Sequence, residues 1–115
     1  MDFFEANGCC VSDHGLEYVM YKPASLETVE EIFAKRFNGE SITHEEELVF
    51  KTAFMVTLGK EYNKKNWVMQ LHYGVKRDNN KAVFNKLGPD AGIDCINNFA
   101  PSSEMADYLN ALAIT

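Results

Sequence analysis

The sequence predicts an α/β fold in which parallel strands are joined by helices. Three observations carry that prediction. The stretch Trp67-Val68-Met69-Gln70-Leu71-His72-Tyr73-Gly74 alternates as a half-buried strand does and closes on a histidine and a glycine. A shorter echo, Val11-Ser12-Asp13-His14-Gly15, also ends in His and Gly. Two segments of helical periodicity lie between them, which is the grammar of successive β–α units around a parallel sheet. Ligands of such sheets bind beyond the carboxyl ends of the strands, so both histidines are expected on a functional rim.

The elements follow in order. Residues 2–7 read as the tail of a helix ended by Gly8. The first strand is expected over 9–12, with Asp13-His14-Gly15 in the loop just beyond it and a connection containing Pro23 over 16–24. Ser25 caps a helix over 26–37, where Leu26, Val29, Ile32, Phe33 and Phe37 recur at helical spacing and Gly39 stops the run. Thr43-His44-Glu45-Glu46 matches a capping box, in which Thr43 and Glu46 satisfy each other's orphan backbone donors. It opens a helix over 44–63 whose stripe is Leu48, Val49, Thr52, Ala53, Val56 and Gly59 or Lys60, widened by Phe50, Phe54 and Leu58. The second strand is expected over 67–73, a polar loop over 75–80, and a short helix over 80–87 that ends at Gly88-Pro89. Residues 92–96 read as a third short strand. Pro101-Ser102 opens a last helix over 102–113, with Met105, Tyr108, Leu109 and Leu112 toward a core.

Composition narrows the function classes. A chain of 115 residues that is 46% hydrophobic is one domain or part of one, with enough apolar residues for a core. Eleven basic and seventeen acidic residues give a net charge of −6 without a basic stripe, so a nucleic-acid partner is not expected. No apolar run approaches membrane-spanning length, and the N-terminus lacks the basic and apolar regions of a signal peptide. Three cysteines, two of them adjacent (Cys9 and Cys10), do not make a disulfide framework and fit a reducing cytoplasm.

His72 is the first candidate for chemistry. Alternation puts Trp67, Met69, Leu71 and Tyr73 on one face of the strand and Val68, Gln70 and His72 on the more polar other face. A neutral imidazole there suits a zinc ligand, its second nitrogen oriented by a carboxylate or carbonyl; a hydrogen-bonded core histidine is the other reading. Asp13 and His14 cannot both point inward from a regular strand, but in a loop beyond it they would converge on a substrate; a turn in which Asp13 bonds the backbone is the alternative. Arg77, a few residues past the second strand, is the candidate for a bidentate contact with a substrate carboxylate. His44 lacks the second histidine of a His-Glu-x-x-His motif and reads as a solvated first helical turn. Gly88-Pro89-Asp90-Ala91-Gly92 lacks the Gly-Lys-Ser/Thr of a phosphate loop and reads as a turn.

Taken together, GCCVSDHG, WVMQLHYGVKRDNN and FNKLGPDAGID resemble the uronate isomerase (glucuronate isomerase) family of the amidohydrolase superfamily, collinearly from Phe3 to Leu112. The resemblance implies a (β/α)8 TIM barrel and an aldose–ketose isomerisation of D-glucuronate to D-fructuronate and of D-galacturonate to D-tagaturonate in bacterial hexuronate catabolism. It also implies a divalent metal, usually zinc, held by a His-x-His on the first strand, a histidine ending the fifth and an aspartate from the eighth. His72 matches the fifth-strand histidine. The chain has no His-x-His and is too short for eight β–α units, which need about 250 residues. The expectation is therefore an internal piece spanning the fourth and fifth strands. Such a piece would bind zinc weakly and be inactive alone, and it would self-associate through exposed sheet edges. A free-standing, non-catalytic α/β module is the rival reading.

Overall fold

Ser25 and Thr43 start helices where their positions predict. In the computed structural model, which describes residues 1–113, α1 spans Asp2–Ala6 and α2 spans Leu26–Phe37. The Ser25 hydroxyl accepts the Thr28 amide of α2 at 3.2 Å. Helix α3, His44–Lys64, opens on a complete capping box: Thr43 Oγ1 accepts the Glu46 amide at 3.2 Å, and Glu46 Oε2 accepts the Thr43 amide at 2.7 Å. Glu46 also pairs with Lys35 at 2.5 Å, tying the start of α3 to α2.

Strand β1, Val11–Gly15, pairs in parallel with β2, Val68–His72, in a register running from Val11↔Val68 to Gly15↔His72. The α/β class with parallel strands is as the sequence predicts. The position of β1 is not: it begins two residues later than 9–12 and runs through Gly15. Asp13 and His14 therefore sit inside the ladder rather than in a loop beyond it. The partner responsible is remote in sequence, since Asp13 and its neighbour Gln70 are 57 residues apart.

The segment expected as a polar loop forms β3, Val75–Lys76, which pairs antiparallel with β4, Cys95–Ile96. The third strand expected over 92–96 is thus reduced to two residues, in a separate sheet. Helix α4, Lys81–Leu87, is capped by Asn80, whose Oδ1 accepts the Val83 amide at 3.1 Å. Helix α5 spans Ser102–Ala113.

The core is organised around residues that the sequence pattern leaves in a connection. Tyr18, Val19 and Met20 are all buried. Tyr18 and Met20 join Leu48, while Val19 joins Met55 and Tyr108, with Met69, Leu71, Met105 and Leu112 packed around them. An extended buried segment needs partners for its amides. Side chains take up the amides just past the segment: the Tyr21 amide donates to Glu104 at 3.0 Å and the Lys22 amide to Thr52 Oγ1 at 2.9 Å. Helix α3 buries Leu48, Thr52, Met55, Gly59 and Tyr62, so Met55 and Tyr62 belong to its stripe and exposed Lys60 does not. Leu109 of α5 also departs from expectation and is 49% exposed, because α5 meets the core along Met105, Tyr108 and Leu112.

Candidate functional site at the carboxyl end of the sheet

Alternation sorts the residues of the two strands. Val11, Asp13, Val68, Gln70 and His72 are exposed on one face; Ser12, His14, Met69 and Leu71 are half-buried on the other, under the helices. In-register pairing then gathers the polar residues of the open face. Gln70 Nε2 donates to Asp13 Oδ1 at 2.9 Å, and His72 Nδ1 stands 3.6 Å from Asp13 Oδ2. The second distance is that of a loose ion pair rather than a hydrogen bond. Asp13 lies on the Nδ1 side of the ring, which leaves Nε2 on the side away from it.

His14 does not join this group. Its ring packs 5.7 Å from that of Tyr62, which in turn stacks on Trp67. Its Nε2 is buried and finds no hydrogen-bond partner among the described residues. The expected convergence of Asp13 and His14 is thus corrected: being in-strand neighbours, they point to opposite faces.

Arg77 reaches the same rim from β3. A Cβ placed on Gly15 would lie 4.0 Å from Arg77 Nη2, and Gly15 is the register partner of His72. Arg77 Nη1 donates to Asp94 Oδ2 at 2.7 Å, and Asp94 Oδ1 accepts the Asp78 amide at 2.9 Å. The Asp78 amide first, and the Arg77 guanidinium second, hold the Asp94 carboxyl below the usual carboxylate range. A broad concavity of about 590 Å³ opens beside these groups, lined by His72, Tyr73, Gly74, Asp94 and Asn97 among others. Gly74, at φ 78°, turns the chain away from the end of β2, a conformation that other residues adopt at a cost.

The donor set limits what the chain holds alone. Among the described residues no three His, Cys, Asp or Glu side chains come together as a metal-binding group. His72 offers one nitrogen and Asp13 lies next to it, whereas a catalytic zinc takes about three protein ligands and an open position. The residues present therefore fit part of a metal site and not a whole one. His44 is an exposed side chain 3.6 Å from Glu47 of its own helix, and it lines a recess together with Glu17, Arg77 and Asn97. Two participants go beyond the sequence pattern, Gln70 as the partner of Asp13 and Asp94 as the partner of Arg77. Gln70 was signalled by sharing the His72 face; Asp94 closes the FNKLGPDAGID segment, but nothing in that pattern pairs it with Arg77.

Comparison with known proteins adds to this geometry. A family model described as glucuronate isomerase matches residues 1–115. The chain is 64% identical over 115 residues to the uronate isomerase of Lachnospira eligens, covering 100% of this chain and 25% of the relative. It is 54% identical over 112 residues to that of Endomicrobium trichonymphae, covering 97% of this chain and 24% of the relative. Among solved structures, the uronate isomerase of Thermotoga maritima superimposes with a TM-score of 0.85 at 34% identity, covering 95% of this chain and 24% of that one. The glucuronate isomerase of Caulobacter crescentus gives a TM-score of 0.76 at 26% identity, covering 98% of this chain and 22% of that one. The chain spans about a quarter of the length of the curated relatives it matches.

Proposed function

The chain belongs to the glucuronate isomerase family, and we propose that it supplies the fourth and fifth strands of a uronate isomerase barrel, with His72 as a metal ligand at the barrel's carboxyl end. The observation that carries this reading is the register Gly15↔His72, which sets His72, Asp13 and, through Gly15, Arg77 around one end of a parallel pair. The reaction is the interconversion of a hexuronate aldose and its ketose, D-glucuronate with D-fructuronate and D-galacturonate with D-tagaturonate. It moves a proton from C2 to C1 of the open-chain sugar and another from the C2 hydroxyl to the C1 oxygen, and leaves the terminal carboxylate untouched.

This chain's residues have distinct parts in that reading. Arg77 meets the substrate carboxylate, for which a guanidinium offers a matched pair of donors. Asp13, steadied by Gln70, orients His72. A divalent ion, zinc in this reading, is the cofactor of the whole protein, and the chain contributes one of its ligands. His14, turned under the helices, is left outside the substrate contacts. Two features support the chain's setting. No described helix is long and apolar enough to cross a membrane, and Cys9, Cys10 and Cys95 are all unpaired, which suits a reducing cytoplasm. The exposed edges of the two-stranded sheets favour self-association when the chain is alone.

The test is a chimera in which these 115 residues replace the matching quarter of the Lachnospira eligens uronate isomerase. It is expected to isomerise D-glucuronate and to lose both zinc and turnover on His72→Ala. A folded chimera without turnover, or one whose zinc content ignores His72→Ala, overturns the proposal. Zinc titration of the isolated chain is expected to give only weak binding, abolished by the same change.

A further inference from the structure

We infer that Asp94 is a positioning residue for substrate recognition: by holding one edge of the Arg77 guanidinium it aims the other edge over the end of the sheet, toward a carboxylate bound beside His72. The inference rests on the proposed role of Arg77 and adds a residue to it.

The geometry is that of a clamp with two jaws. One Asp94 oxygen takes Arg77 Nη1 at 2.7 Å, and the other takes the amide of the next residue, Asp78, at 2.9 Å. Asp78 sits at φ 55°, so the chain reverses there and brings its amide to the same carboxylate that grips the Arg77 side chain. The loop is fastened again one residue on, where the Asn79 amide donates to the Ile93 carbonyl at 3.1 Å and Asn79 Nδ2 donates to the Lys76 carbonyl at 2.6 Å. Side chain and backbone of the turn are thus set by one acid 17 residues away in sequence.

A free arginine has many rotamers to lose on binding, and a guanidinium fixed along one edge loses fewer. With Nη1 committed to Asp94, and with Asp90 a further 3.9 Å from that nitrogen, Nη2 is the edge turned to Gly15. Gly15 is level with His72 in the sheet, and both His72 and Asp94 line the concavity of about 590 Å³. Arg77 itself lines a neighbouring recess with Gly15, Leu16, Glu17 and Val75, and Val75 also lines the concavity. A hexuronate reaching from the concavity over the end of the sheet beside Gly15 brings its carboxylate to a donor edge already in place. The same ion pair offsets the negative charge of Asp94, which would otherwise repel that carboxylate.

The experiment uses the Lachnospira eligens chimera and Asp94→Asn, which keeps the size of the side chain but removes one of its two acceptor oxygens. The KM for D-glucuronate is expected to rise about 10-fold, the effect of misaligning one charge-assisted hydrogen bond, while kcat falls less. In calorimetry D-gluconate, which carries a carboxylate, is expected to bind about 10-fold more weakly, whereas its neutral alditol binds as before. In an Arg77→Ala background Asp94→Asn is expected to add nothing, because it acts through Arg77. Equal weakening of the acid and the alditol, additivity with Arg77→Ala, or an unchanged KM would overturn the inference and leave Asp94 a staple of the loop. A folded chimera that binds D-gluconate in an Asp94-dependent way without turning over D-glucuronate overturns the proposed function alone. One that binds no D-gluconate overturns both.

Discussion

Replacing Tyr108 by Phe is expected to weaken the fold at neutral pH and to strengthen it in alkali. Tyr108 is 1% exposed, and its hydroxyl donates to the Met55 carbonyl of α3 at 3.2 Å while resting 3.2 Å from the Met69 sulfur, a weak acceptor. Phenylalanine keeps the ring and opens no cavity, so the loss at neutral pH is about 1 kcal/mol, the net value of one buried hydrogen bond. Burial, and secondarily the charge of Tyr62, push the Tyr108 phenol from 10.0 up to about 12. Between those values the unfolded chain has ionised this group and the folded chain has not. Unfolding therefore releases a proton, and stability falls as pH rises through that window. The loss reaches about 1.4 kcal/mol near pH 11. Tyr108→Phe lacks this term, so the two stability curves should cross between about pH 10 and pH 11. Other buried phenols, such as Tyr18, titrate in both proteins and cancel in the difference. The assay is urea unfolding of the chain and its variant across this range, followed by the fluorescence of Trp67, the single tryptophan. A gap that stays constant from neutral pH into alkali would refute the reasoning.

Two further substitutions probe the same core. Gly59→Ala should lower stability by about 1 kcal/mol in thermal unfolding despite a helix-propensity gain of similar size. Its methyl would lie 2.7 Å from Leu112 Cδ2 and 3.3 Å from the hydroxyl of Tyr108, and that hydroxyl is held by its own hydrogen bond. A stabilised variant would mean that α5 gives way freely. Thr52→Val should cost about 1–3 kcal/mol in urea unfolding, since Thr52 Oγ1 accepts the Lys22 amide and valine leaves that donor stranded. Thr52→Ser, which keeps the hydroxyl, should cost less, and the reverse order would remove the amide's role.

Local chemistry made the helices legible. Ser25, Thr43 and Glu46 carry their signals within a few residues, and α2 and α3 start where those signals put them. The open face of β2 was readable as well, because alternation is a property of a single strand. What the sequence hid depends on distant partners. Asp13-His14-Gly15 has the chemistry of a turn, and only pairing with β2 makes it strand. Val75–Lys76 is too short and polar to announce β3 without Cys95–Ile96 beside it. Tyr18, Val19 and Met20 look like part of a connection until Thr52 and Glu104 take up the neighbouring amides. At the rim, His72, Asp13 and Arg77 were visible as residue types, whereas the Arg77–Asp94 pair follows from how the 75–80 loop docks on 93–94.

The pairing of β1 with β2 also sets a clock. Asp13 and Gln70 are 57 residues apart, so at about 5–20 residues per second the ribosome takes roughly 3–11 s to deliver the partner of a strand it has already made. During that interval α2 and the start of α3 can form from local contacts, but the edge of β1 that β2 will occupy stays open. Conditions that slow translation between Gly15 and Val68 lengthen that exposure, so the yield of soluble protein should depend on codon choice in the α2–α3 segment more than on codons after β2.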